Sequence, residues 1–330
     1  MEEHKRKQVV SESGFFFGRS LKPVESLIEK ILAADSRLTR FLPPVLIEGE
    51  TGTGKSTLAR VIHNRGPRSK GPLIEVNCSA LPESLAESEL FGHERGAFTD
   101  AKETRIGLME AADGGSLFLD ELLSLSSLLQ AKILTMVDDH AIRRVGSNKT
   151  VEVDVRIIAA TNANLRTAVA EGSFREDLFH RLDLFRLRIP PLRERGEEIV
   201  DLAGQLAERT AEQYRLPVPG MTPEGRRRLM EFEWPGNVRE LSHEIERVLV
   251  FGEGGDLSFE SLERANAGNR DGAEWLNQNF VFSQSGFNLE QAISLLVHRA
   301  LEQNDGNVSG AARLLGVSRD YVRYRLKGKS

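Results

Sequence analysis

The apolar positions of the chain form short continuous runs in its first half and spaced, helix-like patterns elsewhere. Four runs predict buried strands, at residues 44–47, 72–77, 115–121 and 153–160. The segments that predict helices in this half are residues 24–38, 58–63, 82–92 and 130–138. Strands that alternate with helices predict an α/β domain over residues 15–189, in which helices cover both faces of a parallel sheet.

The pattern changes after a Pro-Pro pair at residues 190–191. Short helical segments follow, so residues 190–251 are expected to form a small helical subdomain. Residues 252–287 are rich in Gly, Asn, Ser and acidic residues, which is typical of a linker. Residues 288–330 predict an all-helical domain, and the polar residues 1–14 are expected to be disordered.

Charge is distributed unevenly along the chain. The 330 residues carry 44 Lys and Arg against 49 Asp and Glu, a net charge of −5. Residues 307–330 hold six basic residues and one acid, so this tail is +5 and the remainder of the chain is −10. The total therefore argues against nucleic-acid binding over the whole surface and directs attention to the tail.

Composition also indicates a compartment. The single cysteine, Cys78, excludes an internal disulfide or a cysteine-based metal site and fits a reducing cytosol. No apolar run reaches the ~18 residues that a bilayer span needs, and the N-terminal segment lacks the apolar core of a signal peptide. We therefore expect a cytoplasmic protein with no membrane partner.

Residues 49–57, Gly-Glu-Thr-Gly-Thr-Gly-Lys-Ser-Thr, lie between a predicted strand and a predicted helix. This context makes the G-x-x-x-x-G-K-[ST] pattern a phosphate site, because glycine lets successive N–H groups converge at a helix N-terminus. Lys55 is expected to reach the β- and γ-phosphates, and the Ser56 hydroxyl to bind Mg²⁺. The predicted nucleotide contacts of this loop are Gly49, Glu50, Thr51, Gly52, Thr53, Gly54, Lys55, Ser56 and Thr57.

Two adjacent acids end the third predicted strand. Asp120 is expected to hold Mg²⁺ together with Ser56, and Glu121 to orient or deprotonate the attacking water, since paired acids at a strand end need a cation. With Lys55 they predict ATP hydrolysis. Asn162 follows the fourth strand and is expected beside the γ-phosphate, although Asn in such a place is also typical of a turn.

The basic tail has the pattern of a helix-turn-helix, with helices over residues 308–315 and 318–326. A recognition helix places its first residues on base edges and later basic groups on phosphates, whereas a solvated basic helix is the alternative. The predicted DNA contacts are the N-cap Ser318 and its followers Arg319, Asp320, Arg323 and Lys327. The predicted core of this module is Ala311, Leu314, Leu315, Val317 and Val322.

Together these motifs resemble the bacterial enhancer-binding proteins, the sigma-54-dependent transcription activators of the AAA+ class. The resemblance covers residues 15–251 with the ATPase and residues 288–326 with a Fis-type helix-turn-helix. Beside the phosphate loop, the matching stretches are residues 89–94, 96–101, 114–121, 174–178, 190–195 and 234–241.

The resemblance implies a fold and a set of partners. The fold is an α/β AAA+ P-loop ATPase with a helical lid subdomain, followed by an all-α helix-turn-helix domain. The cofactors are ATP and Mg²⁺, and the partners are the sigma-54 RNA polymerase holoenzyme and upstream double-stranded DNA. As in Fis-type modules, one face of the preceding helix would form a dimer, and that face comprises Leu289, Ile293, Leu296 and Ala300.

Roles in the nucleotide site follow from the same resemblance. Asn77 would hold Glu121 away from water in a switch, Asn162 would act as sensor I, and Arg239 would reach the phosphates from the lid as sensor II. Arg175 and Arg181 would be fingers that enter the neighbouring subunit's site. Fingers supplied in trans imply that ATP is hydrolysed only in rings, typically hexamers assembled from dimers.

The loop at residues 96–101, Gly-Ala-Phe-Thr-Asp-Ala, is the sigma-54-contacting loop of the resemblance, with Phe98 and Thr99 at its tip. Two positions depart from the family pattern. Ser56 stands where the family most often has Glu, and it is the better Mg²⁺ ligand. Asp100 stands where this loop usually carries a second glycine, which bears on the strength of the sigma-54 contact.

Two alternatives stay open from the sequence. One is a DNA-binding regulator that binds ATP but acts without sigma-54 remodelling because of Asp100. The other is a AAA+ remodeller of a different protein, whose tail is an adaptor. No receiver or sensor segment precedes the ATPase in this sequence, which predicts either regulation by a partner protein in trans or removal of a sensor domain.

Overall fold

A computed structural model describes residues 15–251, 256–262, 289–304 and 306–326, with the backbone alone for residues 289–292 and 320. The chain divides into two units, residues 1–266 and 267–330. The predicted disorder of residues 1–14 lies outside the described residues, as does most of the predicted linker. None of the described helices is long and apolar enough to cross a bilayer.

The described residues of the first unit include nine strands and ten α-helices with the following bounds. The strands are β1 Val45–Glu48, β2 Leu73–Asn77, β3 Gly92–His93, β4 Arg105–Ile106, β5 Ser116–Asp120, β6 Ala141–Arg143, β7 Thr150–Glu152, β8 Arg156–Thr161 and β9 Phe185–Arg188, all within the described residues. The helices described there with printed bounds are α1 Lys22–Asp35, α2 Lys55–Arg65, α3 Glu83–Phe91, α4 Leu108–Ala111, α5 Ser127–Asp139, α6 Leu165–Ala170, α7 Glu176–Leu182, α8 Glu198–Tyr214, α9 Pro223–Glu231 and α10 Asn237–Phe251.

Five strands form one parallel sheet in the order β2-β5-β8-β1-β9. Successive residues of its central strands enter two different cores, because side chains alternate between the faces of a sheet. Leu46 and Leu117 pack among residues of α3, α5, α6 and α7 on one face. Val45 and Phe118 pack among residues of α1 and α2 on the other. The predicted α/β layers are therefore confirmed, and burial on both faces explains why these strands read as unbroken apolar runs.

The edge strand β9 was not predicted. Its sequence alternates an apolar residue with Arg186 and Arg188 over only four positions, so it carries no continuous apolar run. Pairing with β1 fixes it as a strand, and Arg186 forms a bidentate ion pair with Glu48 across that pairing, at 2.8 Å for both hydrogen bonds. With β9 at one side, β1 lies inside the sheet and its carboxyl end opens between two neighbours.

Two small antiparallel ladders were also missed. Strands β3 and β4 pair at the base of the loop that contains Phe98, and β6 pairs with β7 as a hairpin. A further bridge joins His93 to Val145 of the hairpin region. These ladders are two or three residues long, which is too short for a repeating apolar pattern.

The lid subdomain is built from α8, α9 and α10 around a buried Trp234, whose indole Nε1 donates to the carbonyl of Leu229 at 2.8 Å. Residues 256–262 belong to this core, since Leu257 and Phe259 are each 1% exposed within it. The prediction that a linker begins at residue 252 is therefore wrong for this stretch. Its overall composition is polar, but three apolar residues, Leu257, Phe259 and Leu262, pack into the core of the lid.

The second unit contains α11 Leu289–Glu302, α12 Val308–Leu314 and α13 Arg319–Leu326. Val297, Ala312 and Val322 form its buried centre, and Leu315 and Val317 pack against them, which confirms the predicted helix-turn-helix. Ser318 caps α13, because its Oγ accepts a hydrogen bond from the N–H of Tyr321 at 3.2 Å.

Two details of that unit differ from the prediction. Leu314 is 57% exposed and does not belong to the core, because it stands at the last position of α12. Ala300 is 3% exposed and lies inward within the unit, whereas Leu296 of the same helix is 40% exposed. The predicted dimerisation face therefore does not include Ala300, and Leu289 is described by its backbone alone.

Candidate nucleotide site and partner surfaces

The glycine-rich loop between β1 and α2 is shaped by two left-handed glycines. Gly52 has a φ of 81° and Gly54 a φ of 102°, which other residues reach only at a cost. Gly52 also lies so close to the lid that a Cβ would stand 2.2 Å from the carbonyl oxygen of Gly236. The loop therefore needs glycine at this point for two separate reasons, its backbone angle and the approach of the lid.

Lys55 is the first residue of α2 and is only 7% exposed. Its ammonium donates to the carbonyls of Gly49 at 2.8 Å and Glu50 at 3.1 Å. Burial lowers the pKa of Lys55, while the charges of Asp120 and Glu121 raise it. A partly desolvated ammonium at the start of a helix, beside a glycine-rich loop, is suited to bind phosphate.

Asp120 ends β5, Glu121 follows it, and both line the same cleft as the loop. The Ser56 Oγ donates to Asp120 Oδ2 at 3.4 Å, and the N–H of Glu121 donates to Asp120 Oδ1 at 3.0 Å. Glu121 has a φ of 54°, a left-handed angle that non-glycine residues adopt rarely and often at functional sites. The strand end thus turns sharply, so both carboxylates belong to the same cleft.

Mg²⁺ fits this arrangement. It prefers hard oxygen ligands, keeps several waters, and is commonly held by one or two carboxylates together with substrate phosphates. Ser56 and Asp120 supply a hydroxyl and a carboxylate within hydrogen-bond distance of each other. The described residues contain no cluster of three or more His, Cys, Asp or Glu that would favour a closed protein site for another metal.

A cleft of about 550 Å³ joins the loop and the acids to the lid. One part is polar and contains Lys55, Asp120 and Glu121. The other part is flanked by apolar side chains of the segment before α1 and of α8, a combination that suits a charged phosphate chain attached to a flat base. The lining residues that sequence reasoning missed are Phe15, Phe16, Arg60, Arg195, Leu202, Leu206, Arg209, Val238, Ser242 and His243.

Two asparagines predicted for the site have different surroundings. The Asn162 Nδ2 donates to Thr51 Oγ1 at 3.3 Å, which brings it to the glycine-rich loop. Asn77 stands beside Asp120 in the register of β2 and β5, but its Oδ1 accepts from the N–H of Ser79 at 3.0 Å and from its Oγ at 2.8 Å. The described contacts include no hydrogen bond from Asn77 to Glu121, so the switch role stays a prediction.

The three predicted arginines differ in whether they line the cleft. Arg239 lines the cleft from α10, and its N–H donates to the carbonyl of Gly52 at 3.2 Å. Arg175 and Arg181 are exposed and lie outside the set of described residues that line the cleft. Arg175 pairs with Asp177 at 2.6 Å, and Arg181 pairs with Asp138 at 2.5 Å. Their exposure leaves both available to another chain, since such surface pairs are weak.

The loop between β3 and β4, residues 94–104, is called the Phe98 loop, and it contains a tight turn with an exposed tip. The N–H of Ala101 donates to the carbonyl of Phe98 at 3.0 Å, and the N–H of Gly96 donates to the carbonyl of Ala101 at 2.8 Å. Phe98 is 39% exposed, with its ring 5.0 Å from that of His93. Asp100 is not among the described residues with positive φ, so this turn accepts Asp without the backbone strain that would require glycine.

The hairpin of β6 and β7 supports the Phe98 loop. Residues 92 and 94 form backbone hydrogen bonds with Val145, at 2.9 and 3.0 Å. Arg144 pairs with Glu94 at 3.1 Å and with Glu110 of α4 at 2.8 Å. Charged and backbone contacts thus join the loop, the hairpin and α4. No local sequence motif predicted these contacts.

The second unit presents a basic, aromatic surface on α13. Arg319, Arg323 and Tyr324 are exposed, and Tyr324 is 63% exposed. The Arg325 Nε donates to the hydroxyl of Tyr321 at 3.2 Å, which orders two neighbouring side chains. Two of the predicted DNA contacts lie outside what is described, the side chain of Asp320 and the whole of Lys327.

Comparison with known protein families agrees with this geometry. Residues 21–188 match the sigma-54 interaction domain, which is half of the chain. The chain belongs to the sigma-54 interaction domain family. Residues 193–277 match the AAA+ ATPase lid domain, and residues 296–328 match the Fis family of bacterial regulatory proteins. The lid match extends past residue 251, in agreement with the packing of residues 256–262.

Individual relatives support the same assignment. The regulatory protein ZraR of Escherichia coli (strain K12) is 43% identical over 309 residues, 94% of this chain and 67% of that protein. The regulatory protein AtoC of the same strain is 43% identical over 289 residues, 86% of this chain and 62% of that protein. The chain spans about half to two thirds of the length of the curated relatives that it matches.

A solved structure has the same fold. NtrX from Brucella abortus, in complex with ATP, superposes with a TM-score of 0.68 at 29% identity, covering 95% of this chain and 68% of that one. The predicted AAA+ fold, with its lid and helix-turn-helix, is confirmed.

Proposed function

We propose that this chain is the ATP-hydrolysing and DNA-binding part of a sigma-54-dependent transcription activator. It binds upstream double-stranded DNA in the cytoplasm. It uses ATP hydrolysis to convert the closed complex of the sigma-54 RNA polymerase holoenzyme to the open complex. The observation that carries the proposal is the continuous segment that joins the exposed Phe98 loop to the acids of the phosphate cleft.

That segment runs from the Phe98 loop through β4, α4 and β5 to Asp120 and Glu121. Met109 of α4 is fully buried in the same core as Leu117 of β5, and that core is close-packed like other protein interiors. A shift of the acids when the γ-phosphate leaves would therefore displace α4 and, with it, the loop. ATP hydrolysis at one end and a gripping loop at the other are coupled by packing.

In this proposal, the residues of the cleft have different roles in phosphoryl transfer. Lys55 and the loop N–H groups bind the β- and γ-phosphates, and Glu121 accepts the proton of the attacking water. Asn162 orients the γ-phosphate from the end of β8. Ser56 and Asp120 would hold Mg²⁺, which supplies positive charge to the phosphate oxygens.

Arg175 and Arg181 complete the site of a neighbouring subunit in this proposal, so the active form is a homo-oligomeric ring, a hexamer assembled from dimers. Both are exposed and neither is among the described residues that line the cleft of their own chain, which supports action in trans. An arginine that stabilises the transition state contributes about 10³ to 10⁵ in rate.

Mixing two inactive variants tests this arrangement. Arg175→Ala and Glu121→Gln chains are each expected to be inactive, and an equal mixture is expected to recover about one quarter of the wild-type ATP turnover. That is the fraction of head-to-tail interfaces that combine an intact Glu121 with an intact Arg175. Steady-state phosphate release measures it. No recovery in mixtures that demonstrably co-assemble would show that Arg175 acts in its own chain.

DNA binding rests on α13. Its exposed Arg319 stands at the helix start, where recognition helices meet base edges, and the exposed Arg323 follows one turn later. Arg323 is the proposed phosphate contact. Asp320 and Lys327 remain predicted contacts. A dimer of this module would require a palindromic site. Regulation by a partner protein in trans also remains a prediction.

The sigma-54 function is tested by open-complex formation on a sigma-54 promoter. Wild-type chain is expected to give ATP-dependent open complexes, and Asp100→Gly to change the yield by no more than about threefold, because Asp100 occupies an unstrained surface position. Permanganate footprinting measures the open promoter. No ATP-dependent opening by either chain at saturating concentration would refute the function.

The same pair of chains decides between the two regulator hypotheses. Opening by Asp100→Gly alone would support the regulator that binds ATP without remodelling sigma-54. That alternative is not favoured, because the match to the sigma-54 interaction domain includes the Phe98 loop and the turn accommodates Asp100. The Fis-family match likewise argues against a tail that is only an adaptor.

A further inference from the structure

Asn237 is a fully buried polar residue at the point where the lid meets the phosphate loop. It begins α10, is 0% exposed and has a φ of 50°, a left-handed angle that Asn tolerates better than most residues. Its Oδ1 accepts from the N–H of Leu192 at 2.7 Å. Its Nδ2 donates to the carbonyl of Thr51 at 3.0 Å and to Glu50 Oε2 at 3.2 Å. One carboxamide therefore joins three segments of the chain.

Glu50, inside the phosphate loop, is fixed from two sides. Arg193 binds its carboxylate with two hydrogen bonds, at 2.6 and 2.8 Å. The hydrogen bond from Arg193, assisted by that from Asn237, lowers the pKa of Glu50 to about 2. Glu50 is therefore ionised at neutral pH, and its oxygens accept hydrogen bonds from Arg193 and Asn237.

The start of α10 lies directly on the loop. The carbonyl of Gly236 approaches Gly52 so closely that only glycine fits there, and the N–H of Arg239 donates to the carbonyl of Gly52 at 3.2 Å. Arg239 lines the cleft two residues beyond Asn237. Any change in how Asn237 engages the loop therefore moves the backbone that carries Arg239.

We infer that Asn237 is a positioning residue that couples the phosphate loop to the lid and so sets the reach of Arg239 toward the terminal phosphate. Glu50 and Arg193 hold the loop side of this coupling. The inference rests on the proposed nucleotide site and deepens it. Asn237 touches no nucleotide in this role and acts through the loop carbonyl of Thr51, the carboxylate of Glu50 and the first turn of α10.

A purely structural role makes a different prediction. If Asn237 only satisfied buried backbone groups, its loss would weaken the fold and reduce binding of all nucleotides by one common factor. A positioning role acts on Arg239, so its loss affects a triphosphate more than a diphosphate. In a chain that lacks the Arg239 side chain, the loss of Asn237 would have no further effect on nucleotide affinity.

The first experiment uses N237G in the full chain. Glycine keeps the left-handed backbone without strain and removes the side chain with its carboxamide, so the variant separates the loss of the hydrogen bonds from backbone strain. Affinity for a non-hydrolysable ATP analogue is expected to fall about tenfold, as the net value of the lost hydrogen bonds implies, and affinity for ADP no more than about threefold. In an R239A chain, N237G is expected to change the analogue affinity by less than about twofold.

A pair exchange gives an independent test if N237G folds poorly. N237D places a carboxylate against Glu50 and is expected to weaken binding of the ATP analogue more than N237G does. E50Q/N237D removes the charge repulsion and places a donor at residue 50 opposite an acceptor at residue 237, so it is expected to bind the analogue more tightly than N237D. The recovery is expected to be partial, because an aspartate at residue 237 cannot donate to the carbonyl of Thr51. N307G serves as the matched control, since Asn307 caps α12 in the second unit and should leave both affinities unchanged.

The outcomes are distinct. A wild-type chain that binds neither nucleotide would refute the proposed nucleotide site itself. Normal wild-type binding, with equal losses for both nucleotides in N237G or an undiminished effect of N237G in the R239A chain, would overturn the coupling alone. Failure of E50Q/N237D to exceed N237D would do the same for the partnership with Glu50.

Discussion

Glu121→Gln is expected to stop ATP hydrolysis while leaving ATP bound. The amide keeps the size and polarity of the side chain, but it replaces one acceptor oxygen by an NH2 donor and cannot take the proton of the attacking water. General-base catalysis contributes about 10² to 10⁴ in rate, so turnover should fall by that factor. The left-handed turn at residue 121 and the hydrogen bond from its N–H to Asp120 do not depend on the side chain and should persist.

Two measurements check this expectation. Phosphate release gives the turnover, and the fluorescence of a labelled ATP gives the affinity, which should stay within about threefold of the wild type. Glu208→Gln is the matched control, because Glu208 is exposed on α8 outside the described cleft lining. Wild-type turnover in Glu121→Gln would exclude Glu121 as the base.

Lys55→Ala is expected to prevent nucleotide binding, with affinity for both ATP and ADP at least about 100-fold weaker. A charge-assisted hydrogen bond contributes about 1.5–3 kcal/mol, and the ammonium is the buried cation of the loop that is expected to meet both phosphates. The change also removes the donor that the carbonyls of Gly49 and Glu50 share, so the loop loses part of its own bracing.

Equilibrium titration with labelled ATP and ADP measures the loss. Lys70→Ala, at an exposed position after α2, should bind normally. Because loss of the bracing bonds could also unfold the chain, a melting curve accompanies the titration, and the prediction concerns a chain that remains folded. Unchanged ATP affinity in such a chain would refute the role of Lys55.

The two variants separate binding from chemistry. Lys55→Ala removes the ligand, whereas Glu121→Gln retains it, so only the second is expected to trap a nucleotide-bound ring. If the Phe98 loop responds to bound ATP, Glu121→Gln should hold it in one state and Lys55→Ala in the other. The buried path from α4 to β5 is the physical basis of that difference.

Several parts of the fold were predictable because their signals are local. The central strands are buried on both faces, so Leu117, Phe118 and Leu119 read as one apolar run that ends in two acids. The glycine-rich loop is recognisable because its conformation depends on Gly52 and Gly54 themselves. A helix start is recognisable where the sequence supplies a capping residue, as Ser318 does for α13.

Other parts were not predictable because their cause lies far away along the chain. The strand β9 exists through pairing with β1, more than 130 residues earlier, and Arg186 is held there by Glu48 with a sequence separation of 138. Residues 256–262 looked like a linker because the lid core that buries Leu257 and Phe259 is supplied by other segments. Asn77 stands beside Asp120 in the sheet register, but its side chain binds the nearby Ser79, and its switch role stays a prediction.

What the sequence determined by itself is the chemistry of single segments: a phosphate loop, two acids after a strand, an aromatic loop tip and a basic helix. Their spacing also determined the order of the domains. Only the tertiary structure decided how these segments act on one another. It joined Glu50 of the loop to Arg193 and Asn237 of the lid, across 143 and 187 residues, and it tied the Phe98 loop to Arg144. Such contacts are set by the packing of whole elements, so no local pattern encodes them.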